Sequence, residues 1–129
     1  MMSEIFKVGI DIHGVIDTFP KRFMQLSMAL VASGAEVHIV TGSKRDEHID
    51  TLLNNAGITF THYFSIVEFL EKNGDIRWED DQPYALDEKW DMAKRNYCEL
   101  QCIDLMIDDS PVYRDTFADI GTNFLHLTS

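Results

Sequence analysis

The sequence predicts an α/β fold: a doubly wound domain in three layers with a mostly parallel sheet of about five strands. Three observations lead there. Apolar runs of strand length alternate with segments of helical period along the chain. The first of these runs is nearly unbroken by polar residues, as expected of a strand buried on both faces. The 129 residues, 45% hydrophobic and 26% charged, suit one globular domain over residues 1–129, large enough to bury its own core.

The first strand is read at Phe6-Lys7-Val8-Gly9-Ile10-Asp11. A short loop with Gly14 leads to Pro20, which opens a helix where its missing N–H costs nothing. Phe23, Leu26, Met28, Leu30 and Val31 give that helix its apolar face, and Gly34 ends it. Val37 to Thr41 is the second strand, and Gly42-Ser43 turns the chain into a charged helix that stops at Gly57. Ile58 to Phe64 reads as the third strand, and Ser65 caps a short helix through Leu70. Residues 73–88 read as an irregular acidic loop. Lys89 to Leu100 is helical, Ile103 to Asp108 is the fourth strand, and Ser110-Pro111 starts a helix ended by Gly121. Asn123 to Leu127 closes the series.

Charge and composition exclude several functions. Acidic residues number 22 against 11 basic ones, a net charge of −11. That balance argues against nucleic-acid backbones and anionic membrane surfaces. No stretch approaches the roughly 18 to 20 apolar residues of a membrane span. The first ten residues lack a basic start followed by a long apolar run, so a cytoplasmic location is expected. The two cysteines, Cys98 and Cys102, have no second pair to complete a zinc set and read as reduced thiols.

In a sheet of this kind ligands bind beyond the carboxyl ends of the strands, where the strand order reverses. Three predicted strands end in chemistry-bearing residues: Asp11, Thr41-Gly42-Ser43, and Asp108-Asp109-Ser110. Carboxylates gathered at one rim repel one another by about 4 kcal/mol per pair at 4 Å and an effective dielectric near 20. A hard dication relieves this, and Mg²⁺ binds through one or two carboxylates plus water and substrate oxygens. A carboxylate beside it can attack phosphorus held in line. Thr41 Oγ1 and the Gly42 and Ser43 amides, at an expected helix start, are donors to phosphoryl oxygens. A lysine completes the cradle. Lys89 opens its predicted helix and is expected at the rim. Lys94 is about one and a half turns further along and is expected away from it.

Together these residues resemble the haloacid dehalogenase-like superfamily, mostly Mg²⁺-dependent phosphatases, over nearly the whole chain. V-G-I-D-I-H-G-V-I-D resembles its first motif, I-V-T-G-S its second, Lys89 the lysine of its third, and D-L-M-I-D-D-S its acidic fourth. The resemblance implies a Rossmann-like core and a phosphomonoesterase working through an aspartyl-phosphate on Asp11. It implies that Thr41 and Lys89 bind the phosphoryl group. It further implies that Asp108 and Asp109 hold Mg²⁺ with Asp11 and the backbone carbonyl of His13.

One position departs from that pattern. The family's general acid and base is an aspartate two residues after the nucleophile, and here it is His13. Such a group is worth roughly 10² to 10⁴-fold. Two readings stay open: His13 performs the task, its ordinary pKa lying near neutrality, or the chain is a phosphate-binding or regulatory domain that hydrolyses poorly.

The remaining polar residues read as structural. Asp17 ties down the loop after the first strand, and His38, His48, His62 and His126 lack ligand spacing. Glu79-Asp80-Asp81 reads as a solvated stretch, and Trp78, Tyr84 and Trp90 as anchors for it, with stacking on substrate the other reading. About eight residues separate Asp11 from the first helix, which leaves no room for a cap domain. An uncovered site implies either a phosphorylated macromolecule as substrate, or a homo-oligomer that covers the site around a small phosphorylated metabolite or nucleotide.

Overall fold

A computed structural model describes residues 4–128. Residues 1–3, on which part of the leader reading falls, lie outside the described residues.

Five strands form one parallel sheet: β1 (Lys7–Ile10), β2 (Glu36–Thr41), β3 (His62–Ser65), β6 (Leu105–Asp108) and β7 (Asn123–His126), in the spatial order β3-β2-β1-β6-β7. A separate antiparallel ribbon is made by β4 (Arg77–Glu79) and β5 (Gln82–Tyr84). The helices are α1 (Pro20–Ala32), α2 (Glu47–Ala56), α3 (Ile66–Lys72), α4 (Asp87–Gln101) and α5 (Pro111–Thr116).

Alternation along the strands divides the core in two. Val8 and Ile10 of β1 and Val37 and Ile39 of β2 pack with Phe23 of α1 and Ile49 and Leu53 of α2. On the other face Val40 and Met106 pack with Ile66 and Leu70 of α3 and Ala93 and Cys98 of α4. Each fully buried aliphatic side chain is worth about 1.5–3 kcal/mol. Gly9 is required on the second face, because a Cβ there would stand 2.7 Å from Met106 Sδ and 3.3 Å from Val40 Cγ2.

The chain winds outward from β1 to β3 with helices on one face, then returns to β6 and β7 with helices on the other. The reversal falls between β1 and β6, which are hydrogen-bonded neighbours. Asp11 and Asp108 therefore leave adjacent strands at the switch point, where ligand crevices form in this architecture. Among the described residues no helix is long and apolar enough to cross a membrane.

Three segments differ from expectation. The third strand enters the sheet only at His62, because Ile58 and Phe60 pack against the first core cluster before pairing begins. Helix α2 starts at Glu47, with Asp46 accepting from the Ile49 amide at 2.9 Å, so Gly42 and Ser43 lie in a loop and not at a helix start.

The acidic stretch is not an irregular loop but the ribbon. Asp80 (φ 49°) and Asp81 (φ 63°) make a two-residue turn with both centres left-handed, the conformation that matches strand twist. Glu79 and Gln82 flank the turn and Trp78 faces Pro83 one step further out. That second pair is the non-hydrogen-bonded kind, so the missing N–H of Pro83 costs the ribbon nothing.

Candidate active site

The wide turn Ile12–Ile16 follows β1 and is closed by a hydrogen bond from the Asp17 amide to the Ile12 carbonyl at 3.1 Å. Ile12, Val15 and Ile16 are fully buried and pin the turn to the first core cluster. Asp11, at its mouth, is nearly buried, and its Oδ1 accepts from the Ile12 amide at 2.8 Å. Gly14 has φ +82°, and a Cβ there would collide with the Asp109 carboxylate. Glycine thus permits both the left-handed turn and the close approach of Asp109 to the backbone.

Asp108, at the end of β6, has no exposed surface, and its Oδ1 accepts from the Ser110 amide at 3.0 Å. Carboxylate oxygens of Asp11, Asp108 and Asp109 lie within 4.8 Å of one another. The three predicted acids therefore meet, two buried and one exposed.

The lysine of this cluster is Lys94, and the expectation for Lys89 is corrected. Lys94 Nζ donates to Asp108 Oδ2 at 2.7 Å and stands 3.3 Å from Asp11 Oδ1, with its side chain 2% exposed. It also lies 4.4 Å from the centre of the Tyr113 ring, a cation–π contact. Lys89 instead pairs with Asp75 at 2.7 Å, half exposed. The reason is helical phase. Trp90, Ala93, Lys94 and Cys98 recur at three- and four-residue spacing and form the inward stripe of α4, whereas Lys89 falls off it. The first turn of α4 overhangs the strand ends, so Lys94 arrives level with them. A lysine on an otherwise apolar stripe is the signal in the sequence that points to it.

These charges shape one another. Burial pushes the Asp11 carboxyl up to about 6, with the Asp108 charge adding to the rise and Lys94 and the Ile12 amide opposing it. Burial pushes the Lys94 ammonium down, but Asp11 and Asp108 more than restore it, so it lies above its ordinary value and keeps its proton.

Thr41, at the end of β2, is 1% exposed, and its Oγ1 accepts from the Ser43 amide at 3.4 Å. The loop it starts is held by Tyr63, whose hydroxyl donates to the Ser43 carbonyl at 2.8 Å, and by the Val67 amide, which donates to the Gly42 carbonyl at 3.3 Å. Gly42 faces Trp90, and an added Cβ would come 3.2 Å from the indole.

His13 is more than half exposed. Its Nδ1 lies 3.1 Å from Asp17 Oδ2 and its Nε2 lies 3.2 Å from Ser43 Oγ. Asp17 Oδ1 accepts from the Gly14 amide at 2.8 Å, so Asp17 secures the loop as expected and also orients the imidazole. Burial raises the Asp17 carboxyl, but the hydrogen bonds from His13 and Gly14 outweigh it and hold it below its ordinary value. The His13 ring is not among the clustered carboxylate ligands.

Asp11, His13, Thr41, Gly42, Ser43 and Lys94 line one open cavity of about 760 Å³. Its outer walls carry His48 from α2, Trp78 and Pro83 from the ribbon, and Trp90 from α4. Trp78 and Tyr84 are half exposed and do not anchor the segment to the core, whereas Trp90 packs against the second core cluster.

Fold and site together define an α/β domain with an acidic, lysine-bridged crevice at the sheet's switch point. No family model matches the chain, and no curated protein matches it. Among solved structures, an uncharacterized protein from Corynebacterium glutamicum ATCC 13032 Kitasato is similar, with a TM-score of 0.61 and 14% identity. The match covers 98% of this chain and 87% of that one, and at that identity the likeness is one of fold.

Proposed function

We propose that the chain is a Mg²⁺-dependent phosphomonoesterase of the haloacid dehalogenase-like kind, with Asp11 as the nucleophile. The observation that supports this most is the placement of Asp11 and Asp108 on adjacent strand ends, with Asp109 beside them and the buried ammonium of Lys94 between. Three carboxylates and one lysine leave a surplus of negative charge in a crevice that is partly desolvated. The donor set is all oxygen and suits a hard dication better than zinc. Asp11, Asp108 and Asp109, with the His13 carbonyl, would hold the ion. When bound it supplies positive charge against the phosphoryl oxygens.

The protein's own groups account for the steps. Thr41, the 42–43 loop and Lys94 line the cavity, and the Thr41 hydroxyl, the Gly42 amide and the Lys94 ammonium hold the phosphoryl oxygens. A carboxylate oxygen of Asp11 attacks phosphorus, and the bond from phosphorus to the ester oxygen breaks. The leaving oxygen takes a proton from His13, whose Nδ1 is held by Asp17 so that Nε2 faces the Ser43 side of the crevice. Neutral His13 then accepts a proton from water as the water oxygen attacks the phosphorus of the aspartyl-phosphate. Inorganic phosphate leaves, and the Asp11 carboxylate and protonated His13 are restored.

Hydrolysis of a broad phosphoester panel, with and without Mg²⁺, tests this reading. Turnover that needs Mg²⁺ supports it, and the same panel left untouched overturns it.

A further inference from the structure

The ribbon and the overhanging start of α4 put aromatic surface where a phosphate site alone needs none. The chain has two tryptophans, Trp78 and Trp90, and both line the cavity that holds Asp11 and Lys94. Trp90 lies against Gly42, where an added Cβ would crowd the indole at 3.2 Å. Trp78 belongs to neither core cluster and is 47% exposed. It faces Pro83 across the ribbon at the non-hydrogen-bonded position, where side chains stand closest, and Pro83 lines the cavity too. Two indoles and a proline ring thus form an apolar wall beside a charged floor. The cavity, at about 760 Å³, is far larger than a phosphoryl group requires.

We propose that this wall is the subsite for the substrate's leaving group, and that it selects phosphomonoesters of flat aromatic systems, nucleoside monophosphates or aryl phosphates, over aliphatic ones. This rests on the phosphatase reading for the position of the phosphoryl group. A planar ring entering from the open side stacks on Trp78, with Trp90 marking the inner end of the wall. Base–aromatic stacking tolerates any base, because every base has a π-face, and its loss weakens binding by about tenfold. An acyclic glycerol group has no flat face to lay against the same wall.

The test uses the full, unaltered chain in Ca²⁺, a hard cation of loose coordination that would fill the carboxylate site without fixing the phosphoryl group in line for turnover. The probes are inorganic phosphate, glycerol 3-phosphate, phenyl phosphate and adenosine 5′-monophosphate, followed by calorimetry and by intrinsic fluorescence. Because both tryptophans line the cavity, the fluorescence reports on it directly. The expected result is that phenyl phosphate and the nucleotide bind tenfold or more tighter than glycerol 3-phosphate and change the tryptophan emission. Adding Trp78→Ala brings that ratio down to near one, and Trp78→Phe keeps most of it. A preference for the nucleotide without one for phenyl phosphate narrows the class to nucleotides and supports the subsite. Equal affinity for aromatic and aliphatic esters, with inorganic phosphate still bound, overturns the aromatic subsite and leaves the phosphatase reading standing. Failure to bind any probe overturns both.

Discussion

Lys94 Nζ lies 2.7 Å from Asp108 Oδ2, with both side chains sealed from solvent. The same ammonium reaches Asp11 at 3.3 Å, so one cation holds together the ends of the two strands that flank the switch point. Removing one partner from a buried pair leaves an uncompensated charge and costs about 3–5 kcal/mol. Lys94→Met is therefore expected to lower unfolding stability by about 3 kcal/mol and to abolish phosphatase activity. Mg²⁺ should recover part of the lost stability by replacing the counter-charge. Lys89→Met, which breaks only a half-exposed pair, should stay within about 0.5 kcal/mol of the parent. Urea unfolding of both variants, with and without Mg²⁺, decides between them, and the reverse order of damage would contradict the site.

His13 and Asp17 act as a pair. His13→Ala should reduce turnover by roughly 10² to 10⁴-fold while leaving Mg²⁺ binding in place. Asp17→Asn leaves the imidazole present but poorly oriented, and a loss of roughly tenfold in kcat is expected, smaller than that of His13→Ala. His13→Asp separates the two readings of this position. A large loss marks His13 as the working acid and base, and a large gain marks it as the cause of weak turnover.

Much of this site was legible because strands buried on both faces end abruptly. The three residues before Asp11 and before Asp108 are all apolar, so the next polar side chain marks the rim there, whereas His38 interrupts the run before Thr41 and the T-G-S turn marks that end instead. Position along the helix alone puts Lys94 away from the rim, and only the phase of the inward stripe Trp90, Ala93, Lys94 and Cys98 brings it into the site. The ribbon was missed because its turn uses Asp80-Asp81, neither of them glycine, and because Pro83 resembles a strand breaker until the pairing register shows that its N–H is not needed. The His38–His62 stack, with ring centres 4.1 Å apart, depends on the β2–β3 register, which residue spacing does not reveal.

That turn offers its own test. Asp80→Asn with Asp81→Gly places the preferred residues at the two left-handed positions. The ribbon should gain about 1 kcal/mol, read as roughly fivefold slower amide exchange across residues 77–84. Unchanged or faster exchange there would contradict the turn.

His38 sets a pH dependence away from the crevice. Its ring is buried, with Nε2 2.8 Å from Glu36 Oε1 and Nδ1 2.6 Å from the Tyr97 hydroxyl. Burial lowers its pKa, and the hydrogen bond to Glu36 only partly opposes this. The unfolded chain takes up a proton as pH falls through about 6.5, whereas the folded chain resists it. His38 therefore contributes stability that is present above about 6.5 and is lost as pH falls through its lower folded value. Asp11 has the opposite sign. Its folded value is raised to about 6, so its contribution is present at low pH and is lost as pH rises through that value. Comparison with His38→Gln isolates the histidine. Between pH 7.5 and 5 the parent should lose more stability than the variant, and parallel curves would contradict a buried neutral imidazole.

In the proposed reaction Asp11 receives the phosphoryl group. The most direct measurement of this step is steady-state hydrolysis of the preferred phosphomonoester in Mg²⁺ by the parent chain and by Asp11→Asn, which keeps the side chain's shape and removes its nucleophilic charge. Turnover by the parent that vanishes in Asp11→Asn is the predicted result. Hydrolysis that continues unchanged in Asp11→Asn would contradict the account.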